Sequence, residues 1–307
     1  MDGMARARFV VFGEALTDFI REGEDLWRSV PGGSCWNVAR AAARLGVPTG
    51  YAGGVSRDQF GDAHVRLSRE AGLDLRFLQQ VPRSPLLAMV FSAHPPAYSF
   101  VGDDSADLNY DLARLPEGWL DEVELVHFGC ISLVREPYAT RLAELAERVH
   151  AAGKRICFDP NYRNLMTEAF RPRMERLAAL ADFIKASEED LGLMFPELTH
   201  DAAVARLRAL SPRAHVLVTM GARGMRLHTP DRELVQPAFR VEVQDTVGAG
   251  DSTMAAWMAG VLGEPGAGPE RHLRLAAATA ALVCTRPGAY APTRQEVDAF
   301  LAAQRAG

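Results

Sequence analysis

The sequence predicts an α/β fold, with a mainly parallel central sheet covered by helices on both faces and a small β lid beside it. Three observations predict it. Strand-like and helix-like segments alternate along most of the chain. Two stretches, 14–31 and 86–101, break that alternation with short β-like runs. The length, 307 residues, suits one large α/β domain, alone or with a small appendage.

Phe9-Val10-Val11-Phe12 reads as the first strand, and Asn37 to Leu45 as an Ala-rich helix ended by Gly46. Tyr51 to Val55 reads as a strand, and Gly61 to Glu70 as a helix stopped by Gly72. Leu125 to Phe128 is a strand, followed by a helix from Ala139 to His150 with Gly153 after it. Arg155 to Phe158 is a strand that ends in Asp159-Pro160-Asn161. Phe183-Ile184-Lys185 is a short strand, with a helix from Glu188. His215 to Thr219 is a strand that runs into Gly221. Two short strands follow, then three helices starting near Asp251, Glu270 and Gln295. In such folds ligands sit beyond the carboxyl ends of the strands.

The stretch 14–31 holds Asp18-Phe19-Ile20 and Leu26-Trp27-Arg28-Ser29-Val30, joined by a polar turn. The second stretch holds Leu86 to Ser92 and Tyr98 to Val101, separated by His94-Pro95-Pro96. Together, with the second region extended to 105, they predict a few antiparallel strands outside the main sheet. They form either two surface hairpins or a lid over a substrate site, and the lid is the expectation taken forward.

The chemistry is concentrated in Asp245-Thr246-Val247-Gly248-Ala249-Gly250-Asp251. Its small-residue turn runs at once into an apolar helical pattern, with Met254, Met258, Val261 and Leu262 at i, i+4, i+7 and i+8. Such a turn presents bare backbone N–H groups at the positive end of a helix dipole, which favours a phosphate. A carboxylate there repels the anion that the turn attracts, unless it serves the reaction. Phosphoryl transfer reconciles the two: the amides hold the moving phosphoryl group and Asp251 takes the proton from the attacking hydroxyl. On spacing alone, a routine Asp at a helix start remains open.

Composition excludes several classes. The chain is 48% hydrophobic and 24% charged with a formal net charge of −5, ordinary for a globular protein and without a basic cluster for nucleic acid. No apolar run of about 18 residues predicts a membrane span, and no secretory h-region is visible. The four cysteines (Cys35, Cys130, Cys157, Cys284) are scattered, so a reducing cytoplasmic setting is expected. The eight histidines show no zinc spacing. There is no G-x-x-x-x-G-K-[ST] and no G-x-S-x-G; the first strand runs into Phe12-Gly13-Glu14-Ala15, not G-x-G-x-x-G.

Five stretches in order carry a resemblance. Asp245 to Asp251 resembles the C-terminal signature of the ribokinase/PfkB carbohydrate kinases. Pro31-Gly32-Gly33-Ser34-Cys35-Trp36-Asn37-Val38-Ala39 resembles their N-terminal signature, and Gly13 to Asp18 the strand-end segment with the sugar-binding Asp. Val218-Thr219-Met220-Gly221-Ala222-Arg223-Gly224 is similar to the family's T-x-G-x-x-G nucleotide segment. Phe158-Asp159-Pro160-Asn161-Tyr162-Arg163 resembles a stretch of the fructokinase-like branch.

The resemblance implies a single ribokinase-like domain over 1–307, a three-layer α/β/α sandwich with its β lid. It implies Asp251 as catalytic base and the amides of Gly248, Ala249 and Gly250 as anion hole. Asp18, Asn37, Asn161 and Arg163 would bind the sugar, with Gly32 and Gly33 as lid hinge. Arg163 is also open to a phosphate or to pairing with Asp159. Lys185, Ser187, Thr219, Gly221 and Gly224 would contact ATP, and Ala277 to Leu282 would wall the adenine. The family's Mg²⁺-organising N-x-x-E motif corresponds to Ser187-Glu188-Glu189-Asp190, with Ser for Asn and an acid one methylene shorter; Asp190 would act on Mg²⁺ through water. Asp245, Val247, Val283, Arg286 and Gly288 would line a K⁺ site, mostly through backbone carbonyls. Trp36 departs from the smaller residues usual there, and would stack on the sugar or pack in the hinge.

The implied activity is transfer of the γ-phosphoryl group of ATP to a primary hydroxyl of a monosaccharide, D-fructose giving fructose 6-phosphate. Kinases of 2-keto-3-deoxygluconate, ribose or another riboside stand as alternatives, and a non-catalytic nucleotide or sugar sensor as a distant one. A homodimer through the lid strands is expected by analogy.

Overall fold

The computed structural model describes residues 6–93 and 96–306. Strand β1 (Phe9–Phe12) leads into a hairpin of β2 (Leu16–Arg21) and β3 (Trp27–Gly32). Helix α1 (Ser34–Arg44) and β4 (Thr49–Ala52) follow. A short β5 (Gly54–Val55), α2 (Gln59–Glu70) and β6 (Gln79–Gln80) lead to β7 (Leu87–Ala93) and β8 (Pro96–Val101). The one-turn helix α3 (Trp119–Glu122) precedes β9 (Leu125–Gly129), α4 (Tyr138–Ala151) and β10 (Arg155–Asp159). Then come α5 (Arg171–Leu180), β11 (Phe183–Ser187), α6 (Glu188–Met194), α7 (His200–Leu210) and β12 (His215–Thr219). The hairpin β13 (Met225–His228) and β14 (Glu233–Gln236) precedes α8 (Ala249–Gly263), α9 (Pro269–Cys284) and α10 (Arg294–Ala306).

The main sheet has eight strands in the order β14-β13-β12-β11-β10-β9-β1-β4. From β4 to β12 every pairing is parallel; β13 and β14 are antiparallel. Every residue of β1, β4 and β9 is buried, as helices on both faces require. Phe12 stacks on Phe128 across the β1–β9 pair with ring centroids 5.6 Å apart. The parallel strands all point their carboxyl ends to one edge, which gathers Gly13, Gly129, Asp159, Ser187 and Thr219.

A second sheet, β3-β2-β7-β8, is built from the two stretches expected to form the lid. Its outer pairs are antiparallel, but β2 and β7 run parallel, with Thr17 opposite Leu87 and Ile20 opposite Val90. That corrects the all-antiparallel expectation. The chain leaves the lid after β3, passes through α1, β4 and α2, and re-enters from the same end; so long a connection permits parallel pairing. His94 and Pro95, expected between β7 and β8, lie outside the described residues, as do Met1 to Ala5.

Three further differences have local causes. The strand expected over Tyr51 to Val55 divides at Gly53, where a Cβ would meet the Tyr51 hydroxyl at 2.1 Å and the Gly13 carbonyl at 2.7 Å. Helices α5 and α7 were not expected: α5 buries only Met174, Leu177 and Ala178, and α7 only Ala203, Val204 and Leu207. Helix α8 is apolar all round, with everything from Asp251 to Gly260 buried between α1 and α9.

Candidate active site

The N-terminus of α8 opens on Gly248, whose φ of 76° is left-handed. A Cβ there would lie 2.7 Å from that of Ala289, so the turn needs glycine for both reasons. The Ala249 N–H donates to the Thr246 carbonyl at 3.2 Å. This corrects the expected donor set, because that amide closes the turn. Among the described residues, the amides of Gly248, Gly250 and Asp251 have no hydrogen-bond partner.

Asp251 follows in the first turn, 8% exposed. Both its oxygens are engaged from the first turn of α1. The Ser34 hydroxyl donates to Oδ1 at 2.7 Å and the Asn37 amide to Oδ2 at 2.9 Å. Ser34 and Asn37 are three apart, on one helix face, and so reach the same carboxylate. Asn37 Oδ1 is buried and has no partner among the described residues, which leaves an acceptor for an incoming hydroxyl. Ser34 was not among the residues expected from the sequence; a hydroxyl three positions before Asn37 was the available signal.

Asp18 lies on β2, against the end of β3. A Cβ on Gly32 would fall 2.4 Å from Asp18 Oδ2, so Gly32 makes room for that carboxylate. Gly33, at φ 108°, brings α1 under the Glu14 carbonyl, where a Cβ would come within 2.7 Å. Both glycines are therefore required by close approach. Burial pushes the Asp18 carboxyl up to about 7; the Asp251 charge adds to this and Arg163 opposes it. Asp251 and Arg163 thus lie near enough to Asp18 for their charges to act on it.

The end of β10 supplies the third wall. Asp159 is buried and pairs with Lys185 of β11 at 2.8 Å. Its other oxygen accepts the Asn161 N–H at 3.1 Å, which bends the chain into a left-handed residue at Asn161, φ 40°. Arg163 donates to the Tyr162 carbonyl at 2.7 Å. The partner of Asp159 is Lys185, not Arg163, so the guanidinium is left to the site. The Lys185 ammonium reaches the foot of α8, 3.2 Å from where a Gly250 Cβ would stand.

The chain matches known proteins over most of its length. The family model for pfkB family carbohydrate kinase matches residues 6–296. A fructokinase of Rhizobium leguminosarum bv. trifolii is 33% identical over 255 residues, 80% of this chain and 77% of that one. The chain belongs to the pfkB family of carbohydrate kinases. Its backbone is similar to that of fructokinase with bound ATP from Xylella fastidiosa, with TM-score 0.88, 28% identity, and coverage of 97% of this chain and 98% of that one. It is also similar to fructokinase from Vibrio cholerae O395 in fructose, ADP and calcium ion bound form, with TM-score 0.85, 25% identity, and coverage of 96% and 99%.

In this pfkB-family kinase other expected residues divide by what they touch. Ser187 caps α6 and forms a capping box with Asp190: its hydroxyl accepts the Asp190 N–H, and Asp190 Oδ2 accepts the Ser187 N–H at 2.7 Å. Asp190 Oδ1 accepts the Tyr162 N–H at 2.8 Å. Each Asp190 oxygen thus accepts one backbone N–H and keeps a second acceptor site, so a role toward Mg²⁺ through water stays open to it. No cluster of three or more His, Cys, Asp or Glu that could hold a metal occurs among the described residues. Thr219 ends β12 and Gly221, φ 56°, opens a free turn, whereas Gly224 is needed because a Cβ would meet the Gln236 carbonyl at 2.1 Å. Trp36 is fully buried, donates to Ser68 Oγ at 2.9 Å and meets His64 edge to face. It packs behind the site and offers no face to a sugar.

At the expected cation loop, Asp245 accepts the N–H of Val247 at 3.0 Å and of Gly288 at 2.7 Å, tying 245–247 to 284–288. The carbonyls of Val283 and Gly288 accept from Arg286 and Tyr290. Those of Asp245, Val247 and Arg286 carry no hydrogen bond among the described residues, so these oxygens keep both lone pairs.

Proposed function

We propose that this protein is an ATP-dependent fructokinase, one kinase domain that phosphorylates D-fructose at O6. The observation that carries it is a buried carboxylate, Asp251, held by two donors beside the free amides of a helix N-terminus. Asp251 accepts the proton of the attacking hydroxyl, and the amides of Gly248, Gly250 and Asp251 hold the charge of the moving phosphoryl group. Asp18, Asn37 Oδ1, Asn161 and Arg163 orient the sugar. Lys185, Thr219 and Gly221 face the nucleotide phosphates. Mg²⁺ would arrive with ATP and would supply positive charge to its phosphates, with Asp190 acting on it through water. K⁺ on the 245–247 and 284–288 carbonyls would brace the anion hole. The lid closes over the sugar and excludes water. The relatives named fructokinase support the choice of sugar.

The lid's exposed Leu26, Phe91 and Val101 support a homodimer through this sheet. No helix among the described residues is long and apolar enough to cross a membrane. The four free cysteines support a reducing, cytoplasmic setting, with the sugar and ATP as partners.

Coupled ADP release over fructose, ribose, 2-keto-3-deoxygluconate, tagatose and aminoimidazole riboside tests the proposal. Fructose is expected to give kcat/KM roughly tenfold or more above the others. A preference for another sugar overturns the substrate, and binding without ADP release from any of them overturns catalysis.

Asp18 adds a pH dependence. As an acceptor of sugar hydroxyls it must be ionised, and in the free protein it titrates near 7. The fructose KM is therefore expected to fall as pH rises from 6 to 8. The stability effect has the opposite sign. With the folded value above the unfolded one, the native state binds the extra proton between about 4 and about 7 and loses stability as pH rises through that window. Asp18→Asn should remove both trends, as read from KM and melting temperature against pH.

A further inference from the structure

Helix α1 places Ser34 and Asn37 on Asp251, yet it has no side-chain cap of its own, because its N-cap residue is Gly33. The cap comes from Glu14, at the end of β1. Its Oε1 accepts the Ser34 N–H at 3.0 Å, and its backbone carbonyl accepts the Trp36 N–H at 3.3 Å. Its Oε2 accepts the Ser132 hydroxyl at 2.7 Å, from the turn after β9. Glu14 is fully buried between sheet and helix start; burial pushes its carboxyl up, and hydrogen bonds from Ser132, its own backbone N–H and Cys130 oppose that push. One residue therefore joins the sheet edge to the residue whose hydroxyl touches Asp251.

We propose that Glu14 is a positioning residue for phosphoryl transfer, acting through Ser34 to hold the Asp251 carboxylate in the orientation that takes the proton. The proposal rests on the reading of Asp251 as base. Ser34 has a single hydroxyl proton, which is given to Asp251 Oδ1 at 2.7 Å. Its direction depends on where the first turn of α1 sits. If that turn tilts at its start, where Glu14 holds Ser34, the Ser34 bond to the base is lengthened and misaligned more than the Asn37 bond one turn further along. Asn37 then holds the carboxylate by one oxygen only, and the group is free to rotate about its Cβ–Cγ bond. A carboxylate misaligned by such a rotation still binds its neighbours but meets the attacking hydroxyl poorly, so the loss falls on kcat.

Conservative variants and their double mutant test this. Ser34→Ala keeps the helix start and removes only the hydroxyl; kcat is expected to fall about tenfold, the scale of one charge-assisted hydrogen bond, with fructose and ATP KM within about twofold. Ser34→Thr restores the hydroxyl and should recover most of kcat. Glu14→Gln keeps shape and one acceptor, and should lower kcat several-fold. In the Ser34→Ala background Glu14→Gln should have almost no further effect on kcat, because the route to Asp251 is already cut. Multiplicative losses in the double mutant, or a Glu14→Gln effect confined to melting temperature, overturn the role of Glu14. Failure of the base itself is read separately from Asp251→Asn: if that variant turns over normally, the underlying reading falls, whatever the cycle shows.

Discussion

Asp251→Asn is expected to lower kcat by about 10²–10⁴-fold, the usual contribution of a positioned general base. Fructose and ATP KM should change little, and the fold should be retained. The substitution is nearly isosteric, and an amide oxygen can still accept from Ser34 or from Asn37. It also removes a negative charge that raises the Asp18 carboxyl, so melting temperature should hold or rise. The measurement is steady-state ADP release with a thermal melt on the same preparation. Turnover within about tenfold of the parent enzyme would show that the proton leaves by another route. The small size of the expected KM change matters as much as the loss, because a ground-state role in binding the sugar would appear there.

Much of this arrangement was legible in the sequence because it follows from local chemistry. A glycine turn that opens a helix leaves donors free whatever the rest of the chain does, and Gly248 and Gly250 behave so. Alternating segments dictated the parallel sheet, and that sheet brings strand ends from Gly13 to Thr219 to one edge. What was not legible depends on neighbours far apart in the chain. Asp159 and Lys185 are 26 residues apart, and their pairing requires that β10 and β11 be adjacent. The unexpected partner of Asp251, Ser34, is 217 residues away. Trp36 is of a size and place that invite a stacking role, but Ser68 and His64 of α2 claim it from the other side. Helices α5 and α7 cover the sheet with few buried residues each, too few for a periodic signal. Asp190, expected from its motif position to act on Mg²⁺ through water, also forms a capping box with Ser187, which their spacing of three residues allows.

Lys185→Met is expected to destabilise the protein by about 3–5 kcal/mol, the scale of breaking one side of a buried ion pair. Both side chains are almost wholly buried, 4% and 1% exposed. Burial pushes the Asp159 carboxyl up to about 6 even with Lys185 beside it, and burial also works against the ammonium, which the carboxylates of Asp159, Asp190 and Asp251 hold above its usual range. Without Lys185, Asp159 is driven to take up a proton, so the loss should be larger at pH 8 than at pH 6. Denaturant melts at the two pH values read this directly. The double variant Asp159→Asn with Lys185→Met removes both charges and should recover most of the stability, since replacing a whole buried pair is often close to neutral. Activity is expected to part company with stability there. The ammonium lies at the foot of α8, beside Gly250, where its charge adds to that of the free amides. The double variant should therefore melt nearly like the parent yet keep a raised ATP KM and a kcat roughly tenfold or more below it. Recovery of both together would mean that Lys185 serves only to neutralise Asp159, and that the backbone amides of α8 hold the phosphoryl charge without its help.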